Sequence, residues 1–255
     1  MDVDAHLRES ARAGVPVTAI AADYSHGHVI APHSHAHGQL LYAIEGVMCI
    51  DAQGGRWVVP PTRGVWLEAG IAHQVRMSGD VKMRTVFVAA DAGAQLPQGS
   101  CVLGIPPLLR ELILAAIDLP PGDGPASRAS YLRGLLLHEL RALPVLPLHL
   151  PLPSDPRLRA VCERLIAAPD DGRTVDAWAG GAGMSARTLH RLFQQQTGMR
   201  FGYWRQQVRL LAALERLARG DKVVDVALDH GYQSQSAFAA MFRRHFGMPP
   251  TLFYR

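Results

Sequence analysis

The sequence predicts an α+β protein: a small N-terminal β-barrel followed by an all-α domain built from two helix-turn-helix units. Three observations predict it. Residues 15–97 hold short β-branched and apolar runs separated by Gly and Pro. The stretch "PVLPLHLPLPSDP" (144–156) packs five prolines into thirteen residues, which rules out helix interior and reads as a semi-rigid linker. Beyond it the chain repeats itself at a spacing of 49 residues.

In the front part, "QLLYAIEGVMCID" and "KMRTVFV" (82–88) have strand composition, and "RWVVPPTRGVWLEAG" is a pair of short apolar runs broken by Pro-Pro and Gly. Trp57, Trp66 and Tyr42 are expected to fill the barrel core. From residue 105 the periodicity changes. "PPLLRELILAAIDL" sets Leu108, Leu109, Leu112, Ile113 and Ala116 at helical spacing after an initiating Pro pair, and "SRASYLRGLLLHELRAL" is a second amphipathic helix. Packing on the barrel and a shared dimer interface are both open to these helices. The implied organisation is a sensor domain (1–98), a helical dimerisation or connector segment (99–143), the proline-rich linker (144–156) and a helical domain (157–255).

In the rear part, "VDAWAGGAGMSARTLHRLFQQQTGM" (175–199) falls without a gap on "VDVALDHGYQSQSAFAAMFRRHFGM" (224–248). Val175/Val224, Asp176/Asp225, Ser185/Ser234, Phe193/Phe242, Gly198/Gly247 and Met199/Met248 are identical. Each copy reads as a short helix, a turn containing Gly (Gly183; Gly231) and a second helix opened by a Ser N-cap. Leu189, Leu192 and Phe193, and likewise Phe238, Met241 and Phe242, form one buried stripe at i, i+3 and i+4. "FGYWRQQVRLLAALERLARG" between the copies is a long helix with Trp204, Val208, Leu211 and Leu214 on one side and Gly220 closing it.

Two such units on one connecting helix suit successive major grooves, which lie about 34 Å apart on one face of a duplex. The first recognition helix offers Ala186, Arg187, His190 and Arg191 to the groove; arginine pairs bidentately with guanine. The second offers Ser234, Gln235, Ser236 and Ala240, with Arg243 and Arg244 placed for phosphates. The first unit is therefore expected to read more sequence than the second.

Charge agrees with that division. Residues 1–153 carry 11 Lys+Arg against 13 Asp+Glu, and residues 154–255 carry 15 against 9. An acidic-leaning front joined to a basic rear is what a sensor on a nucleic-acid module shows, although a solvated basic face has the same count. No apolar run reaches the roughly 18 residues of a membrane span, the N-terminus lacks a signal-peptide core, and Cys49, Cys101 and Cys162 are scattered. A cytoplasmic protein is expected.

"VALDHGYQSQSAFAAMFRRHFGMPPTLFYR" resembles the C-terminal signature of the AraC-type transcriptional regulators: the Gly-Tyr turn, the Ser cap, the Phe-x-x-x-Phe stripe, Phe-Gly, Pro-Pro and the terminal Tyr-Arg. The resemblance covers about residues 156–255. It implies a double-stranded-DNA-binding bacterial regulator, commonly a homodimer under effector control, which engages RNA polymerase if it is an activator. Family members often place a base-contacting Arg near the sixth residue of the second recognition helix; here that slot is Ala240.

The front domain resembles a cupin. His33-x-His35, three residues, Gln39, six residues and Gly46 follow the first cupin motif with Gln in the Glu slot. Glu68-x-Gly70-x-x-His73 follows the second with Glu in the Pro slot. On a strand, residues 33, 35, 37 and 39 share one face. Three imidazoles and an amide oxygen suit a divalent transition metal, Zn, Ni, Cu or Fe. The expected metal ligands are therefore His33, His35, Gln39 and His73, with Gln lowering affinity relative to a carboxylate. The same polar cavity binding a small-molecule effector directly, and purely structural histidines, remain open, as does the rival class of a cupin metalloenzyme with an accessory helical domain. His26 and His28 read as loop residues, and His37 as a spare group turned outward at Gly38. The motifs contain no phosphate loop, nucleophile elbow or Cys-x-x-Cys pair.

Overall fold

A computed structural model describes residues 14–52, 55–61, 63–120, 124, 126–141, 143, 145–146, 149–246 and 249–253. Gly247, Met248 and the terminal Tyr254-Arg255 of the family signature lie outside the described residues. The chain forms two compact units, one of residues 1–53 and 59–148, the other of 54–58 and 149–255.

The first unit is sheet-rich. Its strands are β1 (Val17–Tyr24), β2 (Val29–His33), β3 (Gly38–Ala52), β5 (Arg63–Leu67), β6 (His73–Val88), β7 (Cys101–Gly104) and β8 (Val145–Leu146). They run in the order β1-β6-β3-β5-β7-β8, with β2 also pairing with β6. This is an open path, so among the described residues the expected closed barrel is corrected to an open antiparallel sheet. One face of the sheet is covered by helices instead. Leu40, Tyr42, Trp66, Val86 and Val88 pack with Leu109, Leu112, Ile113 and Ala116 of α1 (Pro107–Ile117) and with Leu136, Leu137 and Leu140 of α2 (Arg128–Arg141). The predicted stripe of α1 is thus used within the chain, except that Leu108 points outward at 51% exposure.

The proline-rich stretch carries strand pairings of its own. Val145 and Leu146 pair with β7, and β9 (His149–Pro151) pairs antiparallel with β4 (Gly55–Val59). The β4–β9 ribbon belongs to the second unit, and so does Trp57, whose ring stacks on His149 at 5.0 Å. Trp57 is buried as expected, but in a different core from Trp66 and Tyr42.

The rest of the second unit is helical: α3 (Pro156–Ala167), α4 (Val175–Gly181), α5 (Ala186–Thr197), α6 (Phe201–Ala218), α7 (Val223–Asp229), α8 (Gln235–Phe246) and α9 (Pro250–Phe253). No helix among the described residues is long and apolar enough to cross a membrane. The two helix-turn-helix units are α4–α5 and α7–α8. Ser185 Oγ accepts from Thr188 N–H at 3.2 Å and Ser234 Oγ from Ala237 N–H at 3.1 Å, so both predicted caps are made.

The repeat is not gapless in space. Recognition helices α5 and α8 are related by 49 residues, but α4 and α7 start at 175 and 223, 48 apart. Trp178 and Ala179, buried in the first copy, correspond to buried Val226 and Ala227 in the second, and the left-handed turn residues are Gly183 and Gly231. The second turn therefore holds one extra residue. The identities Val175/Val224 and Asp176/Asp225 belong to the sequence register alone. Val224 is 40% exposed, and Val223 occupies the place of Val175.

Candidate metal centre and nucleic-acid interface

The histidine cluster is assembled by strand pairing rather than by one strand. β2 ends at His33, and the 34–37 stretch lies outside any strand, so His35 and His37 do not share a strand face with His33 as expected. Antiparallel pairing of β2 with β6 instead sets His33 directly opposite His73. The ring of His35 folds in from the following loop. Its centroid lies 4.8 Å from that of His33 and 5.7 Å from that of His73, and its edge rests on Phe87. One ring nitrogen from each of His33, His35 and His73 can be chosen so that all three lie within 4.8 Å of one another. His37 is not part of this group.

The hydrogen bonds orient the rings. His33 Nδ1 lies 2.8 Å from Ala31 O, and His73 Nδ1 lies 3.0 Å from Ile71 O. A carbonyl only accepts, so each Nδ1 carries a proton, and in a neutral ring it is Nε2 that holds the lone pair. His73 is 3% exposed, and its Nε2 is buried without a hydrogen-bond partner among the described residues. Burial holds the His73 pKa below its ordinary value, partly offset by the bond to Ile71 and reinforced by His33, so the ring is neutral near pH 7.

Gln39 is buried in β3 opposite Phe87, the residue that His35 touches. Its Nε2 donates to Thr85 Oγ1 at 3.1 Å, and Thr85 in turn donates to Leu40 O at 3.0 Å. That chain fixes the amide and leaves Oε1 as a second buried acceptor without a partner. Three clustered imidazoles, two of them oriented through Nδ1 so that Nε2 is the ligating atom, are a donor set that fits a divalent transition metal. Gly46, the glycine of the first motif, has φ 76°, and a Cβ there would sit 2.3 Å from Asp80 O, so only glycine passes this point of β3. His26 and His28 are loop residues: His26 Nδ1 accepts from Gly79 N–H, and His28 stacks on Tyr24.

In the second unit, α5 buries Leu189 and Phe193 and exposes Arg187, His190 and Arg191 on the opposite side, with Ala186 half-buried. Arg187 makes no hydrogen bond or ion pair among the described residues, whereas Arg191 donates to Gln195 at 3.3 Å and His190 lies edge-on to Phe201. On α8, Phe238, Met241 and Phe242 are buried, while Ser234, Gln235, Ser236, Ala240, Arg243 and Arg244 are exposed.

Not all the basic charge faces outward. Arg205 donates to Asp171 O and Arg173 O, and Arg209 donates to Pro169 O, which ties α6 to the loop before the first unit. Arg216 joins Asp221 at 2.7 Å and Asp229 at 2.5 Å, clasping the end of α6 to α7. These three arginines of the connecting helix were invisible as structural residues in the sequence. They account for part of the charge excess without facing a ligand.

Residues 15–177 match the AraC-like ligand binding domain and residues 178–255 a helix-turn-helix domain. The chain is 35% identical over 218 residues to the HTH-type transcriptional regulator NimR of Escherichia coli, covering 86% of this chain and 80% of NimR. It is 37% identical over 83 residues to the regulatory protein SoxS of the same species, covering 32% of this chain and 78% of SoxS. It also aligns with the solved structure of ToxT from Vibrio cholerae at 9% identity and a TM-score of 0.39, over 93% of this chain and 94% of ToxT. The chain belongs to the AraC-type transcriptional regulators, with a ligand-binding N-terminal domain and a helix-turn-helix C-terminal domain.

Proposed function

We propose that this chain is a cytoplasmic, sequence-specific regulator whose first unit senses a divalent transition metal, or an effector held beside it, and whose second unit reads duplex DNA through two major grooves. The observation that carries the sensor reading is the buried Nε2 of His73, without a hydrogen-bond partner among the described residues, on a ring clustered with two further imidazoles. His33, His35 and His73, with Gln39 as fourth donor, would hold the ion, which when bound would supply a fixed positive charge shared by β2, the His35 loop and β6. DNA contacts come from Arg187, His190 and Arg191 on α5, and from Gln235 and Ser236 on α8. Ser234 caps α8, Ala186 and Ala240 give the backbone close approach, and Arg243 and Arg244 hold phosphates. α6, 18 residues and about 27 Å long, keeps the two recognition helices apart. Tyr131 and Leu135, one turn apart and 67% and 42% exposed, give α2 an outer face suited to a homodimer. An activator of this design also engages RNA polymerase.

Two measurements test the reading. Elemental analysis of the purified protein is expected to find Zn, Ni, Cu or Fe that is absent from the His33→Ala/His73→Ala variant; equal metal in both removes the site. Restoring the metal is expected to change affinity for selected DNA fragments about 5–150-fold. The logarithm of DNA affinity should fall linearly with log salt, losing about 0.9 per phosphate neutralised. A salt-independent affinity would count against groove binding.

A further inference from the structure

The first unit carries a cleft on the side of the sheet away from the histidines. Neighbouring residues of β3 face opposite sides: Gln39 lies opposite Phe87, which touches His35, whereas Gly38 lies opposite Val88, part of the core shared with the helices. The cleft encloses about 330 Å³, within the size range of small-ligand sites. Its walls are Trp66, Val88, Leu96 and Pro97, and its polar groups include Glu68 and Gln98. Among its described lining residues Glu68 carries the only charge.

The cleft is preformed. A Cβ on Gly38 would lie 2.3 Å from the Trp66 ring, so glycine alone lets the indole lie against β3. Trp66 Nε1 donates to Pro97 O at 3.0 Å, locking the indole into the wall. Trp66 is held in place and 4% exposed, so it offers the cleft a small fixed aromatic patch; beside it a single carboxylate, with no basic group among the described lining residues, favours positive charge on an apolar body. Glu68 is also the residue that departs from the Pro of the second cupin motif, so the carboxylate is a property of this chain.

We propose that this cleft binds a small organic cation, an aryl- or alkylammonium whose apolar part rests on Trp66 and whose ammonium pairs with Glu68. The proposal deepens the sensor reading and rests on it for its regulatory meaning. Its link to the histidines is the turn between β5 and β6. Glu68 O accepts from Ile71 N–H, Gly70 N–H donates to His35 O at 2.7 Å, and Ile71 O holds His73 Nδ1. A cation drawn to Glu68 pulls on the turn that positions His35 and His73.

Isothermal titration of the full chain with phenethylammonium, 2-phenylethanol and phenylacetate tests it. Phenethylammonium is expected to bind with a dissociation constant of about 1 mM or tighter, and the neutral and anionic analogues more weakly. Glu68→Gln is expected to weaken it about threefold to tenfold, and Glu68→Lys to reverse the preference toward phenylacetate. Absence of binding at about 10 mM, equal affinity for the three compounds, or unchanged affinity in Glu68→Gln would each overturn the assignment. The titration is read on the protein alone, so its failure leaves the metal and DNA results untouched.

Discussion

Phe193→Ala is expected to cost the helical unit about 3–5 kcal/mol. Only Leu189 and Phe193 of α5 are fully buried, so half of the recognition helix's anchorage is one phenyl ring. That ring is 0% exposed and packs edge-on against Phe201 at 5.1 Å and Trp204 at 5.6 Å. Trp204 is itself pinned by its indole N–H to Pro151 O at 2.9 Å, so the neighbours cannot collapse into the space. In the full chain the melting midpoint of this unit should fall by roughly 10–30 °C, with amide exchange in 186–197 rising first. Phe193→Leu should recover much of the loss. A change below about 1 kcal/mol for Phe193→Ala, the scale of an ordinary surface substitution, would mean that α5 does not pack on α6 in this way.

Much of this arrangement was legible because it is local. The stripe Leu189–Leu192–Phe193, the Ser185 and Ser234 caps and the glycine turns are each written within a few residues, and each is found in the structure, with Leu192 half-buried. The α1 and α2 helices and the strand composition of β3 and β6 were equally readable. What escaped was long-range. His33 meets His73 because β2 pairs with β6 across 40 residues of sequence, whereas alternation along one strand suggested a different geometry for His35 and His37. His33, His35 and His73 meet all the same, because motif spacing encodes the pairing indirectly. The one-residue insertion in the second turn was hidden by chance identities at Val224 and Asp225. Trp57 was assigned to the first core because its partner His149 lies within the proline-rich stretch, which reads in sequence as a linker and not as a strand. Arg205, Arg209 and Arg216 entered the sequence only as part of the basic excess of residues 154–255, since sequence cannot tell an arginine aimed at a backbone carbonyl or a carboxylate from one aimed at solvent.

Arg187→Ala and Arg191→Ala are each expected to weaken binding to the selected DNA site by about 1–3 kcal/mol, a loss of roughly 5- to 150-fold, and to relax one base position. Arg187 stands exposed near the start of α5 with no competing partner among the described residues, so its fork is available for the O6 and N7 acceptors of guanine. Arg191, one turn further along the same face, must give up its contact with Gln195, which puts its effect at the lower end. Arg243 lies near the far end of α8, where the exposed face offers Ala240 instead of a reading side chain. Arg243→Ala should therefore lower affinity evenly across sequences and reduce the salt slope by about 1. Competition binding of the three variants against a library of single-base changes separates these outcomes. If all three relax specificity to the same extent, both recognition helices read bases alike, and the unequal division between α5 and α8 fails.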